Sequence, residues 1–224
     1  MKTATIKEIF TSIQGEGPYI GYKQLFIRFC GCNLNCSYCD TDFDEENAIT
    51  MSQEDFINTI NNCQENIHSV SLTGGEPLLH ADFLSETLPK IKKKIYLETN
   101  GTQLKNLEKI IKYVDYVSMD IKLDSISGNG NLFNIHDEFL KICKTAKVCT
   151  FVKIVFNSNI SDFEIAKTLE LVKKYDIELI LQPVMDDKKC LVKTKVIEKM
   201  YDIFNSKHDK VRLIPQTHKF LDII

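Results

Sequence analysis

Residues 25 to 39 read Leu25-Phe26-Ile27-Arg28-Phe29-Cys30-Gly31-Cys32-Asn33-Leu34-Asn35-Cys36-Ser37-Tyr38-Cys39. An apolar run of strand type leads into three thiols with the spacing C-x3-C-x2-C, and thiolates this close together on one loop can bind the same metal centre. Structural zinc sites and the iron-sulfur clusters of electron carriers normally use four protein ligands. A set of three leaves one coordination position open, which is typical of a catalytic centre because a substrate or cofactor must bind there.

A second motif, Thr73-Gly74-Gly75-Glu76-Pro77, follows the next strand-like run. Together the two motifs resemble those of the radical S-adenosylmethionine (SAM) enzymes. The resemblance implies a 4Fe-4S cluster bound by Cys32, Cys36 and Cys39, with SAM chelating the fourth iron. The residues alone leave two alternatives open, a zinc site completed by a distant His or Cys and Cys30 as a rival first ligand.

The composition is that of an ordinary globular protein. The chain has 224 residues, of which 43% are hydrophobic and 26% charged, and a formal net charge of -3. These values predict a single domain over residues 1–224, without a basic surface for direct nucleic-acid binding. No apolar run reaches the ~20 residues of a membrane span and the N-terminus lacks a signal-peptide core, so we expect no membrane contact and a cytoplasmic location. Four scattered thiols are expected to be buried in a reducing compartment: Cys63, Cys143, Cys149 and Cys190.

Strand-like and helix-like segments alternate along the chain. The alternation predicts βα units on a parallel sheet, either an open doubly wound sheet or a barrel, and periodicity does not choose between these α/β architectures. The family resemblance implies a partial (β/α)6 barrel of the radical SAM type, with an N-terminal extension and a C-terminal tail. The expected strands are 23–30, 67–72, 94–98, 114–119, 150–156, 177–182 and 210–214.

Two of the expected helices have recognisable starts. Ser52, with Asp55 three residues later, predicts an N-cap for a helix that carries Phe56, Ile57 and Ile60 on one face. Ser161 opens a later helix. Its expected core face consists of Phe163, Ala166, Leu169 and Val172.

Polar residues follow five of the expected strands. Ligands gather at the carboxyl ends of parallel strands in both candidate architectures, so these segments predict one shared site. Ordinary turn chemistry explains one or two such ends, but not five in succession. The segments are the cysteine loop, Thr73-Gly74-Gly75-Glu76, Glu98-Thr99-Asn100-Gly101, Ser118-Met119-Asp120-Ile121-Lys122 and Leu181-Gln182-Pro183.

The SAM contacts follow from the radical SAM resemblance. Glycine lets the backbone approach a ligand closely, and we expect free N–H groups at Gly74 and Gly75 to bind an end of SAM. For Glu98, a strand-end salt bridge is the alternative role. The residues assigned to SAM are Tyr38, Cys39, Asp40, Gly75, Glu98, Asp120, Ile121 and Lys122.

Two further motifs narrow the resemblance. The loop Ile13-Gln14-Gly15-Glu16-Gly17-Pro18 precedes the first barrel strand, and Asp40-Thr41 follows the last cluster cysteine. With Arg28 they resemble the 7-carboxy-7-deazaguanine synthase family. The resemblance implies conversion of 6-carboxy-5,6,7,8-tetrahydropterin to 7-carboxy-7-deazaguanine with loss of ammonia, started by a 5'-deoxyadenosyl radical that abstracts hydrogen from C6 and followed by ring contraction.

The same resemblance assigns the substrate and a magnesium ion. Gln and Glu side chains can pair with the donors and acceptors of a pterin edge, and Arg28 can bind a carboxylate bidentately. Thr41 would bind Mg2+, a hard cation that prefers oxygen ligands, whereas the residue type alone favours a helix cap. The substrate residues are Ile13, Gln14, Gly15, Glu16, Arg28, Thr73, Gln182 and His218.

The resemblance also implies a homodimer and an electron donor such as flavodoxin. Two alternative functions remain. A glycyl-radical activating enzyme shares both the cysteine and the Gly-Gly-Glu-Pro motifs but acts on a protein and does not need the Gln-Gly-Glu-Gly loop. A zinc-stabilised binding module would explain the thiols without SAM.

Overall fold

The structure is a computed structural model that describes residues 2–41 and 44–223. The strands are β1 (Thr3–Ile13), β2 (Lys23–Phe29), β3 (Ile49–Ser52), β4 (Ser69–Gly74), β5 (Ile95–Thr99), β6 (Tyr116–Asp120), β7 (Cys149–Phe156), β8 (Glu178–Pro183), β9 (Met185–Asp186), β10 (Lys189–Cys190) and β11 (Val211–Leu213). The helices are α1 (Gln53–Asn61), α2 (Ala81–Thr87), α3 (Leu104–Ile110), α4 (Asp124–Ser127), α5 (Phe133–Ala146), α6 (Asp162–Tyr175), α7 (Thr194–Asn205) and α8 (Thr217–Leu221).

The parallel strands of the sheet follow one another in chain order, without a reversal. Within the described residues its nine strands have the order β11-β8-β7-β6-β5-β4-β2-β1-β3, and the seven from β2 to β11 are parallel neighbours in chain order. A doubly wound sheet reverses its strand order at a switch point, whereas a barrel does not. The end strands β11 and β3 are not paired with each other in the part of the chain described, so the sheet forms a partial barrel, as predicted.

All seven expected strands are present, but the N-terminal part of the sheet was not predicted. β1 is an eleven-residue strand that pairs antiparallel with β2 on one side and with the short β3 on the other. Only Ala4 and Ile6 of its early residues are buried, and the polar residues around them, Thr3, Thr5, Lys7 and Glu8, weaken the strand signal. The predicted N-terminal extension is therefore an antiparallel edge of the same sheet.

The helix starts are confirmed. Ser52 accepts a hydrogen bond from the backbone of Asp55 at the start of α1, and Ser161 forms a capping box with Glu164 at the start of α6. The predicted core face of α6 is wrong at Phe163, which is 52% exposed, and at Ala166, which is also exposed. The predictions for Leu169 and Val172 are confirmed, because both are buried. The buried residues of α6 are Glu164, Ile165, Thr168, Leu169, Leu171, Val172 and Tyr175.

The two faces of the parallel strands have different environments because side chains alternate along a strand. One face packs against the helices in the main core. On the other face, inside the barrel, Tyr96, Phe151 and Ile180 are at most 2% exposed and close the barrel at the amino end of the strands. Two residues further along each strand lie Glu98, Lys153 and Gln182. The barrel is therefore apolar at one end and polar at the end where a ligand can enter.

The scattered thiols only partly follow the prediction. Cys143 is buried and Cys63 and Cys190 are half-buried, but Cys149, the first residue of β7, is exposed. No helix among the described residues combines the length and the apolar character needed to cross a membrane.

Candidate functional site

A cavity of about 750 Å³ opens at the carboxyl ends of the parallel strands. Every predicted site residue except Ile121 lines it. Ile121 is 1% exposed and packs in the core, and its N–H donates to the carbonyl of Lys153, so its side chain does not face a ligand. The lining residues that the sequence predicted are Ile13, Gln14, Gly15, Glu16, Arg28, Cys32, Cys36, Tyr38, Cys39, Asp40, Thr41, Thr73, Gly75, Glu98, Asp120, Lys122, Gln182 and His218.

The cysteine loop is anchored to the segment after β6. Ser37 donates hydrogen bonds from its N–H to the carbonyl of Ser127 at 3.1 Å and from its hydroxyl to the carbonyl of Ile126 at 2.5 Å. The amide of Asn129 donates to the sulfur of Cys36 at 3.1 Å. These contacts fix the loop at the rim of the cavity.

The first thiol also has N–H donors close to its sulfur. The backbone N–H of Leu34 lies 3.5 Å from the sulfur of Cys32, and the amide of Asn100 lies 3.9 Å from it. Burial raises the pKa of Cys32 and of Cys36, so without a positive partner both are protonated thiols. A metal centre would supply that positive charge and bind both as thiolates.

Cys30 lies apart from the three loop thiols. It is 3% exposed, its thiol donates to the carbonyl of Asp44 at 3.1 Å, and it is not among the residues that line the cavity. It is therefore a core residue rather than a rival ligand.

Gly75 has a structural role that the sequence did not show. A Cβ atom at Gly75 would lie 2.0 Å from the carbonyl oxygen of Gly31, so only glycine lets this turn pack against the cysteine loop. The expected free N–H is wrong at Gly75, because that group donates to the carbonyl of Phe29 at 3.1 Å. A ligand at this position would therefore contact the Cα atom and the carbonyl of Gly75 rather than its N–H.

Glu98 is a hydrogen-bond acceptor for residues predicted to bind the substrate. One carboxylate oxygen accepts from the amide of Gln14 at 2.9 Å and from Ser71 at 3.2 Å, and the other accepts from Thr73 at 3.0 Å. The salt-bridge alternative therefore does not describe its main contacts. Glu98 instead ties the N-terminal loop to the ends of β4 and β5.

A chain of charges crosses the floor of the cavity. Glu16 pairs with Lys153, Lys153 lies 3.3 Å from one oxygen of Asp120, and Lys122 lies 2.7 Å from the other. The ammonium group of Lys122 also lies 5.4 Å from the ring centre of Tyr38. The predicted SAM and substrate residues thus form one network.

These pairs keep the buried groups charged. Burial acts to raise the pKa of Glu16 and of Asp120, but Lys153 beside the first and Lys122 with Lys153 beside the second leave both pKa values lowered. Burial acts to lower the pKa of Lys122, but Asp120 raises it well above its ordinary value. The network is therefore ionised at neutral pH.

Lys153 was missed by the sequence analysis. It lies in the middle of β7, is 8% exposed, and projects into the barrel two residues beyond Phe151. A lysine at an inward position of an otherwise apolar strand is the signal that could have identified it, because a buried ammonium group needs an acidic partner.

The C-terminal tail closes one side of the cavity, and Gln216 was a second residue that the prediction missed. Its amide donates to Glu16 at 2.8 Å and to Asp40 at 3.2 Å. Asp40 also pairs with Lys219 at 2.5 Å. Although burial acts to raise the pKa of Asp40, these two partners leave it lowered.

His218 is packed against the N-terminal loop. A Cβ atom at Gly15 would lie 2.4 Å from Nδ1 of His218, and the carbonyl of Gly15 accepts hydrogen bonds from the backbone and hydroxyl of Thr217. The glycine in the Gln-Gly-Glu-Gly motif therefore makes room for the tail. The prediction that this tail residue reaches the site agrees with its position in the cavity wall.

Arg28 points into the cavity rather than out to solvent. Its Nε donates to Glu8 at 2.5 Å, and its guanidinium carbon lies 5.8 Å from the ring centre of Phe10, which stacks on Phe26. A guanidinium has five N–H donors, so the Glu8 contact leaves others for a ligand.

Two further predicted residues lie at the rim and at the base. Thr41 lines the cavity beside Asp40. The helix-cap alternative for Thr41 depends on residues 42 and 43, which lie outside the described residues. Gln182 is 3% exposed, and its side-chain oxygen has no hydrogen-bond partner among the described residues. A buried acceptor without a donor is costly, so this oxygen is a place for a ligand's hydrogen-bond donor.

Comparisons with known proteins show the family of this chain. Residues 26–185 match the Radical SAM superfamily. The 7-carboxy-7-deazaguanine synthase of Geobacter sulfurreducens is 38% identical, over 97% of this chain and 97% of that protein. The chain belongs to the 7-carboxy-7-deazaguanine synthase family. The protein of the same name from Archaeoglobus fulgidus is 37% identical, over 98% of this chain and 99% of that protein.

Solved structures show the same fold. QueE from Escherichia coli superimposes with a TM-score of 0.64 at 20% identity, and the match covers 96% of this chain and 94% of that one. As a member of the 7-carboxy-7-deazaguanine synthase family, the chain is a radical SAM enzyme and a lyase, with a 4Fe-4S cluster and SAM as its cofactors.

The residues of the cysteine loop fit such a cluster. Within residues 2–41 and 44–223, no group of three or more His, Cys, Asp or Glu side chains is arranged around a single ion. Each cysteine of a 4Fe-4S cluster binds a different iron, so its ligands do not converge on one point. The three loop thiols form no disulfide within the described residues and lie at the rim of the cavity, where a cluster can bind them. The N–H donors near Cys32 and Cys36 would stabilise the sulfurs of a bound cluster.

Proposed function

We propose that this chain converts 6-carboxy-5,6,7,8-tetrahydropterin to 7-carboxy-7-deazaguanine with release of ammonia. The supporting observation is that Gln14, Glu16 and Arg28 line the same cavity as the three loop thiols. A substrate bound by the first group is therefore close to a cofactor bound by the second. The names of the curated relatives support the same reaction.

The cofactor end of the site would be built from the cysteine loop and the ends of β4 to β6. Cys32, Cys36 and Cys39 would bind the cluster, and SAM would lie against Tyr38, Gly75 and the Asp120-Ile121-Lys122 segment, with Ile121 contributing only its backbone. When bound, the cluster and SAM supply one-electron cleavage of SAM and the abstraction of a hydrogen atom from the substrate. The protein positions the reacting carbon and excludes other quenchers.

The substrate end would be built from the N-terminal loop and the tail. Glu16, held ionised by Lys153 and oriented by Gln216, would accept hydrogen bonds from the guanidine-like edge of the pterin. The amide of Gln14 is held by Glu98 and Gln24 at 2.9 and 3.0 Å. Arg28 would bind the substrate carboxylate, and Thr73, Gln182 and His218 would complete the pocket.

A magnesium ion would lie between Thr41 and the substrate carboxylate. Thr41 offers a hydroxyl at the cavity wall, and the remaining ligands of a hard, strongly hydrated cation would be waters. On this proposal Thr41→Ala retains the cluster but loses the stimulation of turnover by Mg2+. Thr145→Ala removes an exposed threonine outside the cavity and serves as the control. Unchanged magnesium dependence in Thr41→Ala contradicts the assignment.

The remaining expectations stay predictions. We propose a single radical SAM domain over residues 1–224, a homodimer, and an external one-electron donor such as flavodoxin. Phe220 and Leu221, at 47% and 66% exposed, are apolar residues of the tail that a second copy could cover.

The experiment is an anaerobic assay of the reconstituted protein with the tetrahydropterin, SAM, a reductant and Mg2+. The expected products are 7-carboxy-7-deazaguanine and ammonia, from a brown protein with about four irons per chain. A glycyl-radical activating enzyme would instead form 5'-deoxyadenosine only with a partner protein. A colourless protein with one tightly bound zinc would indicate a binding module. Either of these last two results contradicts the proposed function.

A further inference from the structure

Lys153 lies between the two ends of the site. It is on β7, and the neighbouring strand β6 carries Asp120 in the register position directly beside it. Its side chain is 10% exposed, and its ammonium group pairs with Glu16 and lies 3.3 Å from Asp120. Burial acts to lower the pKa of Lys153, but Asp120 and Glu16 raise it far above its ordinary value.

The two carboxylates that share this ammonium group come from different parts of the chain. Glu16 is on the N-terminal loop that we assign to the pterin, and its other oxygen accepts from Gln216 of the tail. Asp120 ends β6 in the segment that we assign to SAM, and its other oxygen pairs with Lys122 at 2.7 Å. Lys153 is therefore the contact through which a change at one ligand can reach the other.

The charges predict the sign of this effect. SAM carries a positive sulfonium, and a cation near Asp120 weakens the attraction of that carboxylate for Lys153. Lys153 then interacts more strongly with Glu16, which holds the carboxylate ionised and in one orientation for the pterin edge. By linkage, the pterin must strengthen SAM binding by the same factor.

We propose that Lys153 is a positioning residue that couples SAM binding to pterin binding. The inference rests on the proposed function, because it takes Glu16 as a pterin contact and Asp120 as a SAM contact. It adds a role for a residue that the assignments above give to neither ligand and whose two ion pairs connect their sites.

The test is calorimetric titration of 6-carboxytetrahydropterin into the reconstituted protein with its cluster oxidised, so that no turnover occurs. For the unmodified protein, saturation with SAM is expected to lower the pterin Kd about 5-fold or more. S-adenosylhomocysteine, which lacks the sulfonium charge, is expected to lower it less. In Lys153→Met the ratio of the two Kd values is expected to fall to about 1.

A matched control separates coupling from general loss of a lysine. Lys93→Met removes a half-buried lysine that donates to the carbonyl of Cys63 outside the cavity, and it should keep the coupling of the unmodified protein. Coupling retained in Lys153→Met overturns the inference. Turnover of the pterin with no coupling in the unmodified protein overturns the inference alone, whereas the absence of any pterin binding overturns the proposed function as well.

A second variant covers the case in which Lys153→Met does not fold, since it leaves two buried carboxylates without their shared partner. Asp120→Asn keeps the shape of the side chain and leaves Lys153 to Glu16. Without SAM it should bind the pterin at least as tightly as the unmodified protein, and saturating SAM should no longer change that Kd. A weaker pterin Kd with coupling intact would assign Lys153 a purely structural role and overturn the inference.

Discussion

The side-chain amide of Asn129 donates a hydrogen bond to the sulfur of Cys36 across 3.1 Å. Hydrogen bonds to cluster sulfurs stabilise the more negative, reduced state and so raise the reduction potential. Asn129→Asp keeps the oxygen that accepts from the N–H of Asn35 but removes the donor and adds negative charge. We expect a lower midpoint potential in an EPR-monitored redox titration, and slower cleavage of SAM at a fixed reductant potential.

The control for this variant is Asn106→Ala, which removes an asparagine on α3 whose side chain is hydrogen-bonded to Gln103 and Lys109. It should leave the potential unchanged. An unchanged potential in Asn129→Asp would mean that Cys36 does not bind the cluster, or that the loop moves away from Asn129 when the cluster is bound.

The cysteine assignment predicts opposite results for two neighbouring thiols. Cys36→Ala should reduce the iron content after anaerobic reconstitution from about four per chain to nearly none. Cys30→Ala should retain the iron, because the Cys30 thiol is buried and bonded to the carbonyl of Asp44. Iron analysis and the absorbance of the cluster measure both. Loss of iron in Cys30→Ala with retention in Cys36→Ala would reverse the assignment.

Arg28 is expected to act on the substrate and not on the cofactor. Arg28→Lys keeps the positive charge near Glu8 but removes the planar fork that binds a carboxylate through two parallel bonds. Losing this two-bond contact should cost about 1–2 kcal/mol of substrate binding free energy, so we expect the KM for the pterin to rise about tenfold. Iron content and SAM affinity should not change. Steady-state kinetics measure the effect, and Arg212→Lys, at an exposed pair with Glu178, is the control. An unchanged KM would remove Arg28 from the substrate site.

The pH dependence of stability should reveal the buried carboxyl of the Gly-Gly-Glu-Pro turn. Glu76 is fully buried, and burial raises its pKa from 4.5 to about 7, although it accepts hydrogen bonds from Asn100, Leu78 and Thr99. Between these two pKa values the native state binds more protons than the unfolded state. The stabilisation from the protonated group is therefore complete below pH 4.5 and is lost as the pH rises through 7.

Glu76→Gln removes this titration, because the amide stays neutral. The free energy of unfolding of the unmodified chain, relative to the variant, should fall by about 3 kcal/mol between pH 4.5 and 7.5. Urea unfolding of the cluster-free chain with reductant present measures the difference at each pH. A difference that does not vary with pH would show that Glu76 is ionised throughout.

The order of the strands was not available from periodicity. Seven apolar runs predicted the parallel strands because each is short, β-branched and flanked by helical patterns. The same runs are compatible with a doubly wound sheet, and only the pairing of each strand with its predecessor distinguishes the partial barrel. β1 was missed because a strand at the antiparallel edge, with few buried residues, has a weak hydrophobic pattern.

The site shows a similar division. The spacing of Cys32, Cys36 and Cys39 and the residues at the strand ends are local features, so a family resemblance could identify them. Lys153, Gln216 and Asn129 were not found, because each depends on a partner more than ninety residues away. The free N–H expected at Gly75 was wrong for a related reason, since its acceptor is the carbonyl of Phe29 at the end of a different strand, β2.

The sequence by itself determined the chemistry of this protein: which groups can bind a metal centre, and which strands can form a parallel sheet. These depend on residue type and short spacing. The tertiary structure decided how those groups act on each other, because ion pairs, burial and pKa shifts depend on distances between strands that are remote in the chain. Glu16 and Asp120 become parts of one network only because β6 and β7 are neighbours and the N-terminal loop closes over them.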